Sequence, residues 1–485
     1  MKDMEQAVLA ARGQFEALLS YLHQSAGQET ALHEVERGLF RQLLALGRTL
    51  LVHFLEEKGP GDYGPWLSLS TGQQLRRGQR SGRAYRSIFG EVTIDRYVYE
   101  TSDQGPAQAP LDGVLNLPAW KYSYLLQEWG LAFSCKEAFA EAGQTLEQLL
   151  GLGLAVGTLE RLSQQVAVGV APFRQDQPVP PPKEEATFLV ATVDCKGVPL
   201  TRAPGVKSKQ GKRRQKGEQK TQKKMACVGA VYTIDPFVRT PEALLDEVQR
   251  QAAAAQRPIP SHKRVQAELL DDKASLFASV AQQIHRRQLA DPKTVLFLSD
   301  GERALWKLQQ HYLPEAIGIL DLWHVMEYLW DGAHVFHAEG SAQAEVWVTQ
   351  RLQMLLEGKV SYVIGGFRQM ITKHALKGSR RKTLHRLITY FQHNGTHMRY
   401  DQYLAAGYPI GSGVAEGACR HLVKDRLERT GMRWTVEGAQ AILDLRSTYL
   451  NGDWNTYWTY YTQAEHQRLY GTLTCNSLGT YKATA

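Results

Sequence analysis

The sequence has little cysteine: five residues in 485, at positions 135, 195, 227, 419 and 475, with no C-x-x-C pair. That excludes a disulfide framework and a cysteine-based zinc site. It has no uninterrupted run of 18 apolar residues, so no membrane span is expected. The opening residues, Met1 to Glu5, carry acid and no apolar signal core, and the expected compartment is the reducing cytoplasm. There is no G-x-S-x-G nucleophile elbow, no phosphate-binding G-x-x-x-x-G-K loop and no dinucleotide glycine fingerprint. Serine-hydrolase, P-loop and dinucleotide chemistry are therefore set aside, and no small-molecule cofactor is expected.

Charge of one sign is also scarce, except in one place. The chain carries 57 basic and 49 acidic residues, a net charge of +8. Residues 206–224 hold nine basic residues and one acid, so this segment alone accounts for the whole surplus. Lys207, Lys209, Lys212, Arg213, Arg214, Lys216, Lys223 and Lys224 suggest a local polyanion contact; the alternative is a solvated loop. With 43% apolar residues the chain is long enough for several domains with real cores, which rules out wholesale disorder.

Apolar residues recur at helical spacing through Leu39, Phe40, Leu43, Leu44, Leu50, Leu51, Phe54 and Leu55, predicting helices over 1–60 whose apolar face is core or, alternatively, a dimer contact. The β-branched and aromatic run 88–99 predicts a hairpin element within 80–110. Residues 115–172 read as helices with a glycine turn at 151–153, a helix-turn-helix-like pattern that also occurs in ordinary bundles. The proline-rich stretch 178–182 marks a boundary. Beyond it, strands alternate with helices over 186–330, predicting an α/β domain with a mostly parallel sheet, including a strand over 225–234 and a helix over 266–289. Residues 331–406 read as all helix, 407–450 as a further helical segment, and 451–485 as a packed tail.

Three apolar strands each run into an aspartate: Asp194, Asp300 and Asp321. Sites in open α/β sheets form at the carboxyl ends of parallel strands, so the three carboxylates converge if their strands are neighbours. Strand-ending aspartates also serve as turn formers and helix caps, so one alone is ambiguous. Convergent carboxylates without a Cys or His cage suit Mg²⁺, and paired ions clamp the attacking and leaving oxygens of a phosphoryl displacement. Glu416, in the first turn of a helix after Gly411-Ser412-Gly413, is the candidate third acid; capping is its alternative reading. Arg420 and Lys424 would share its face in an unbroken α-helix. His324, three residues after Asp321, would face the same edge. Arg426, Arg429, Arg433 and Trp434 form a basic, aromatic cluster of the kind that holds phosphates and stacks on unpaired bases; alternatively Trp434 is core.

The stretches Val193-Asp194-Cys195-Lys196-Gly197-Val198-Pro199, Lys223-Lys224-Met225-Ala226, Leu298-Ser299-Asp300-Gly301-Glu302, Asp321-Leu322-Trp323-His324, and Gly411-Ser412-Gly413 through Glu416 to Gly431-Met432-Arg433-Trp434 resemble a bacterial insertion-sequence transposase of the DDE type, specifically the ISKra group. The resemblance spans roughly residues 85 to 470. It implies an RNase H-like catalytic core, a mixed five-stranded sheet flanked by helices, interrupted by a helical insertion and preceded by a mainly α region with a small β element. It implies that Asp194, Asp300 and Glu416 are the D, D and E holding two Mg²⁺, with Mn²⁺ as substitute. The spacings are 106 and 116 positions, the second lengthened by the insertion. Asp321 and His324 match the C/D-x-x-H motif of Mutator-like relatives. The implied partners are double-stranded DNA, as element ends and target, and a second copy of the chain, in a nucleoid-associated setting. The basic loop at 206–224 is long for the family. Another RNase H-like nuclease of resolvase type, or a catalytically inactive DNA-binding remnant, are the alternatives.

Overall fold

The computed structural model describes residues 2–100, 107–201, 223–249, 256–429 and 431–473. They form two units, one from residues 1–173 with 453–485 and one from residues 174–452. Among the described residues no helix is long and apolar enough to cross a membrane.

The first unit begins with the helices Lys2–Gly27 and Leu32–Lys58. The apolar stripe expected to form core does not: no residue of the second helix is buried, and Phe40, Leu43, Leu50 and Phe54 are each nearly half exposed. A three-stranded antiparallel sheet follows, made of β1 (Trp66–Ser68), β2 (Gln74–Ser87) and β3 (Gly90–Glu100). The β element is thus larger than the predicted hairpin. β2 was illegible because its composition is polar and arginine-rich, with only Leu75 and Ser87 buried. The helices Tyr124–Lys136, Phe139–Leu150 and Val156–Ala167 pack through Leu126, Leu131, Leu146, Leu159 and Leu162, all fully buried. Gly151 turns the chain between the last two in a left-handed conformation, φ 66°. The helix Trp454–Tyr470, in the stretch read as a tail, closes this unit, with Tyr457 edge-on to Phe173.

The second unit is built on five strands: β4 (Phe188–Pro199), β5 (Lys223–Ile234), β6 (Ser261–Glu268), β7 (Thr294–Ser299) and β8 (Ile317–Leu320). Their order is β6-β5-β4-β7-β8. β4, β7 and β8 run parallel and β5 is antiparallel to both its neighbours, so the sheet is mixed. β6 falls partly within the stretch expected to be helical; that helix begins later, at Lys273–Ala290. An edge strand reading Ser-His-Lys-Arg-Val-Gln-Ala-Glu offers too few apolar residues to show a strand pattern. The central strands are the reverse case. Residues 188–193 are all buried, as expected where both faces of a strand are covered.

One face of the sheet is packed by Leu276 and Val280 of the helix Lys273–Ala290, which leave no room for a side chain at Gly229. The region after β8 is all helical: Leu322–Ala333, Ala342–Leu356, Val360–Lys373, Gly378–Asn394 and Tyr400–Ala405. Its core, with Trp347 stacked on Phe367 and Phe367 against Phe391, is continuous with that of the sheet. The chain then returns through the helix Gly413–Ala418, a π-helical segment Cys419–Lys424, a single turn Asp425–Leu427 and the helix Val436–Leu450.

Candidate functional site

The register across the three parallel strands decides where the aspartates lie. Thr192 pairs with Leu298, and Leu298 with Ile319. Two residues further along each chain come Asp194, Asp300 and Asp321, so the three stand in one row: Asp300 and Asp321 just past the ends of β7 and β8, and Asp194 within β4, which runs on to Pro199 beside β5. The Asp321 amide donates to the Ser299 carbonyl at 2.9 Å, prolonging the β7–β8 ladder to that row. Neighbouring strands are about 4.8 Å apart, so the row spans roughly 10 Å of backbone.

Each aspartate is held locally in a different way. Asp194 accepts the amide of Cys195 at 2.6 Å and a hydrogen bond from the buried Cys419 thiol, whose pKa burial and then the Asp194 charge push up. Asp300 accepts the Glu302 amide at 2.9 Å across a tight turn. The turn needs Gly301: its φ is +93°, and a Cβ there would lie 2.8 Å from Leu320 and 2.9 Å from Asn394. Tyr390, stacked on Tyr328, donates its hydroxyl to the Asp300 carbonyl at 2.6 Å.

Asp321 is fully buried and caps the helix Leu322–Ala333. Its Oδ1 accepts the Trp323 amide at 2.8 Å. Its Oδ2 faces His324 Nδ1 at 3.2 Å and accepts the Ser412 amide at 3.2 Å and the Ser412 hydroxyl. Both the capping reading and the site reading of Asp321 therefore hold at once, because one carboxylate has enough lone pairs for cap, histidine and serine.

Ser412 is the hinge that brings in Glu416. Tied to Asp321, it opens the helix Gly413–Ala418 and accepts the Glu416 amide at 3.0 Å through its carbonyl. One ligand-capable atom each of Asp321, His324 and Glu416 lie within 4.8 Å of one another. The Glu416 carboxyl is pushed above its ordinary pKa by partial burial and then by the negative charges of Asp321 and Asp194, with His324 opposing. His324 is raised to about 9, first by its hydrogen bond to Asp321 and further by the charges of Asp321, Asp300 and Glu327. Asp194 and Asp300 lie outside that 4.8 Å group; the charge of Asp194 acts on Glu416 and that of Asp300 on His324. Among the described residues, His324 is the one basic group paired with any of these acids.

The remaining candidates divide. Arg420, Lys424, Arg429 and Arg433 are exposed. The π-helical segment widens the turn after Glu416, so the expected sharing of one face by Glu416, Arg420 and Lys424 does not carry over. Arg426 and Trp434, expected among the phosphate- and base-holding residues, are core instead. Arg426 is fully buried, stacked 4.8 Å from the Trp434 ring centre and donating to Met432 Sδ at 3.4 Å. The Trp434 indole donates to the Leu427 carbonyl at 3.1 Å. Lys223 pairs with Glu428 at 2.8 Å and Lys224 donates to the Leu270 carbonyl at 3.0 Å. Lys207, Lys209, Lys212, Arg213, Arg214 and Lys216 lie outside the described residues.

Sequence reading missed Ser412, taken only as part of a helix break, and Glu327, one turn beyond His324. The spacing Asp321, His324, Glu327 (i, i+3, i+6) was the available signal for the second. Tyr390 and Cys419 left no local signal. Cys195 and Cys227, scattered in sequence, face each other across β4 and β5 with sulfurs 2.8 Å apart.

No protein-family profile and no curated protein matches the chain. Among solved structures it is similar to the Drosophila P element transposase strand transfer complex, with 9% sequence identity and a TM-score of 0.25, covering 73% of this chain and 84% of that one.

Proposed function

We propose that the chain is a DNA transposase of the DDE type, related to the ISKra insertion-sequence group, with an RNase H-like core. Asp194, Asp300 and Glu416 are its metal-holding acids. The observation that carries this reading is the register: three aspartates in one row across adjacent parallel strands, with Glu416 brought to Asp321 by the Asp321–Ser412 tie. The donor set suits Mg²⁺, since it consists of carboxylate oxygens and, among the described residues, no lysine or arginine forms an ion pair with them. Two bound Mg²⁺, or Mn²⁺, would supply activation of a water or 3′-hydroxyl and neutralise charge developing on the phosphorus oxygens.

The other residues have distinct tasks in this reading. Asp321 has its oxygens taken up by Trp323, His324 and Ser412, so it positions His324 and the Glu416 helix. His324, with Nδ1 on Asp321 and its pKa near 9, is a cation at neutral pH, and Nε2 is left to donate to a phosphate oxygen of the substrate. Double-stranded DNA is the partner, as element end and as target, and the chain acts as a homo-oligomer.

The test is cleavage and joining of a DNA fragment carrying the element's ends. Asp194→Asn, Asp300→Asn and Glu416→Gln should each lower Mg²⁺-dependent strand cleavage by at least about a hundredfold, while DNA binding stays within a few-fold. Wild-type cleavage by any of the three variants would remove that residue from the site. Cleavage without joining by the native protein would favour a nuclease of resolvase type, and binding without cleavage in Mg²⁺ or Mn²⁺ would favour an inactive remnant.

A further inference from the structure

The helix Gly378–Asn394 carries Arg380, Arg381, Lys382 and Arg386 and no acid. Arg380 and Arg381 fall in its first turn and Lys382 follows directly. That is the wrong end for positive charge, because the helix dipole already places partial positive charge there. Among the described residues, neither Arg380, Arg381 nor Lys382 has a carboxylate partner, whereas Arg386 pairs with Asp331 at 2.5 Å.

The same helix walls a hollow of about 500 Å³. Lys382, His385, Arg386, Thr389 and His393 line it from one helix face, at the i, i+3, i+4, i+7 and i+11 positions, and Arg303 closes it from the helix after Asp300. Arg303 donates to His393 Nε2. All six are exposed. From Lys382 to His393 the stripe is about 16 Å long, at 1.5 Å per residue. The floor at one end is Gly301 and Tyr390, the residue next to Asp300 and the tyrosine whose hydroxyl holds the Asp300 carbonyl. A concave basic track, with no acid among its lining residues, therefore begins at the turn that presents Asp300.

We propose that this hollow binds the phosphate backbone of duplex DNA next to the scissile phosphodiester, with Arg303 and Lys382 as direct phosphate contacts. The proposal rests on the nucleic-acid reading above and adds a place where the duplex lies. Exposed cations along a concave surface, among which Lys382 and Arg303 have no carboxylate partner among the described residues, fit a polyanion that reaches the acids. A phosphate near the first turn would also relieve the dipole conflict.

The experiment is equilibrium binding of full-length protein to a 30-base-pair DNA duplex across a salt series, without divalent cations. Arg303→Ala/Lys382→Ala should flatten the slope of log K against log [salt] by about 1.8, since each lost phosphate contact contributes about 0.9. Lys183→Ala/Lys263→Ala is the charge-matched comparison. These lysines are exposed, the first in the turn before β4 and the second on edge strand β6, at the far side of the sheet from β8, and that variant should keep the native slope. Circular dichroism should show both variants folded. An unchanged slope in Arg303→Ala/Lys382→Ala, with native binding intact, overturns the hollow and leaves the proposed function standing. Equal flattening in both variants overturns it too, because bulk charge then explains the loss. No binding by the native protein at any salt removes the DNA reading and the hollow together.

Discussion

Asp321 shows how much one carboxylate can organise. It ends β8, caps a helix, orients His324 and ties down Ser412. Its effect on His324 has a sign that can be worked out. An imidazole raised to about 9 gives a stabilising contact that is complete below the ordinary histidine value of about 6.5 and is lost as pH rises through about 9. In protein kept free of divalent cations, the His324 ring protons should titrate near 9 by NMR. Asp321→Asn should bring that titration back toward 6.5 and flatten the melting temperature between pH 6.5 and 9. Because Asn cannot hold a protonated imidazole as strongly, the same variant should lose roughly 10–100-fold in strand cleavage. A His324 titration unmoved by Asp321→Asn would break the assignment of Asp321 as its positioning partner.

At the scale of elements, two short segments carry more than their length suggests. The Asp300 turn depends on a positive φ at Gly301 and on empty space that Leu320 and Asn394 border. Gly301→Ala should cost about 1–3 kcal/mol in thermal or denaturant unfolding, with cleavage falling further than stability because the strain lands beside Asp300. Native stability and activity in that variant would show that the turn relaxes freely. The π-helical segment after Glu416 is the second case. It places Cys419 against Asp194, whereas an unbroken α-helix was expected to align Arg420 and Lys424 with the acid. The elements that escaped sequence reading, β2 and β6, are polar strands whose stability comes from backbone pairing with neighbours distant along the chain, which leaves no hydrophobic alternation to read.

For the whole molecule, charge and apolar surface are both distributed unevenly. The net charge of +8 equals that of residues 206–224, most of which lie outside the described residues, so the basic hollow sits in a chain that is otherwise neutral. The helix Leu32–Lys58 buries none of its residues and leaves Phe40, Leu43, Leu50 and Phe54 in water. An apolar stripe of that length on a 54.5 kDa chain supports the proposal of a homo-oligomer. Light scattering should give at least twice 54.5 kDa for the native protein and shift toward 54.5 kDa for Leu43→Glu/Leu50→Glu. A native mass of 54.5 kDa would end that proposal.

The amino-acid order by itself determined what is local. Three apolar runs ending in Asp194, Asp300 and Asp321, the helix break at Gly411-Ser412-Gly413 before Glu416, and the helical stretch between them are written in nearest-neighbour chemistry: β-branched runs, glycine, and cap-forming acids. Tertiary structure alone decided the strand order that makes those three runs neighbours, and the register that sets the aspartates level. It also decided that Trp434 and Arg426 face inward, that the stripe on Leu32–Lys58 stays exposed, and that helix Gly378–Asn394 and Gly301, next to Asp300, line one hollow. Strand neighbours and site partners come from separate segments of the chain, as Ser412 and Asp321 do 91 residues apart, and a side chain's own neighbours in sequence carry no information about them.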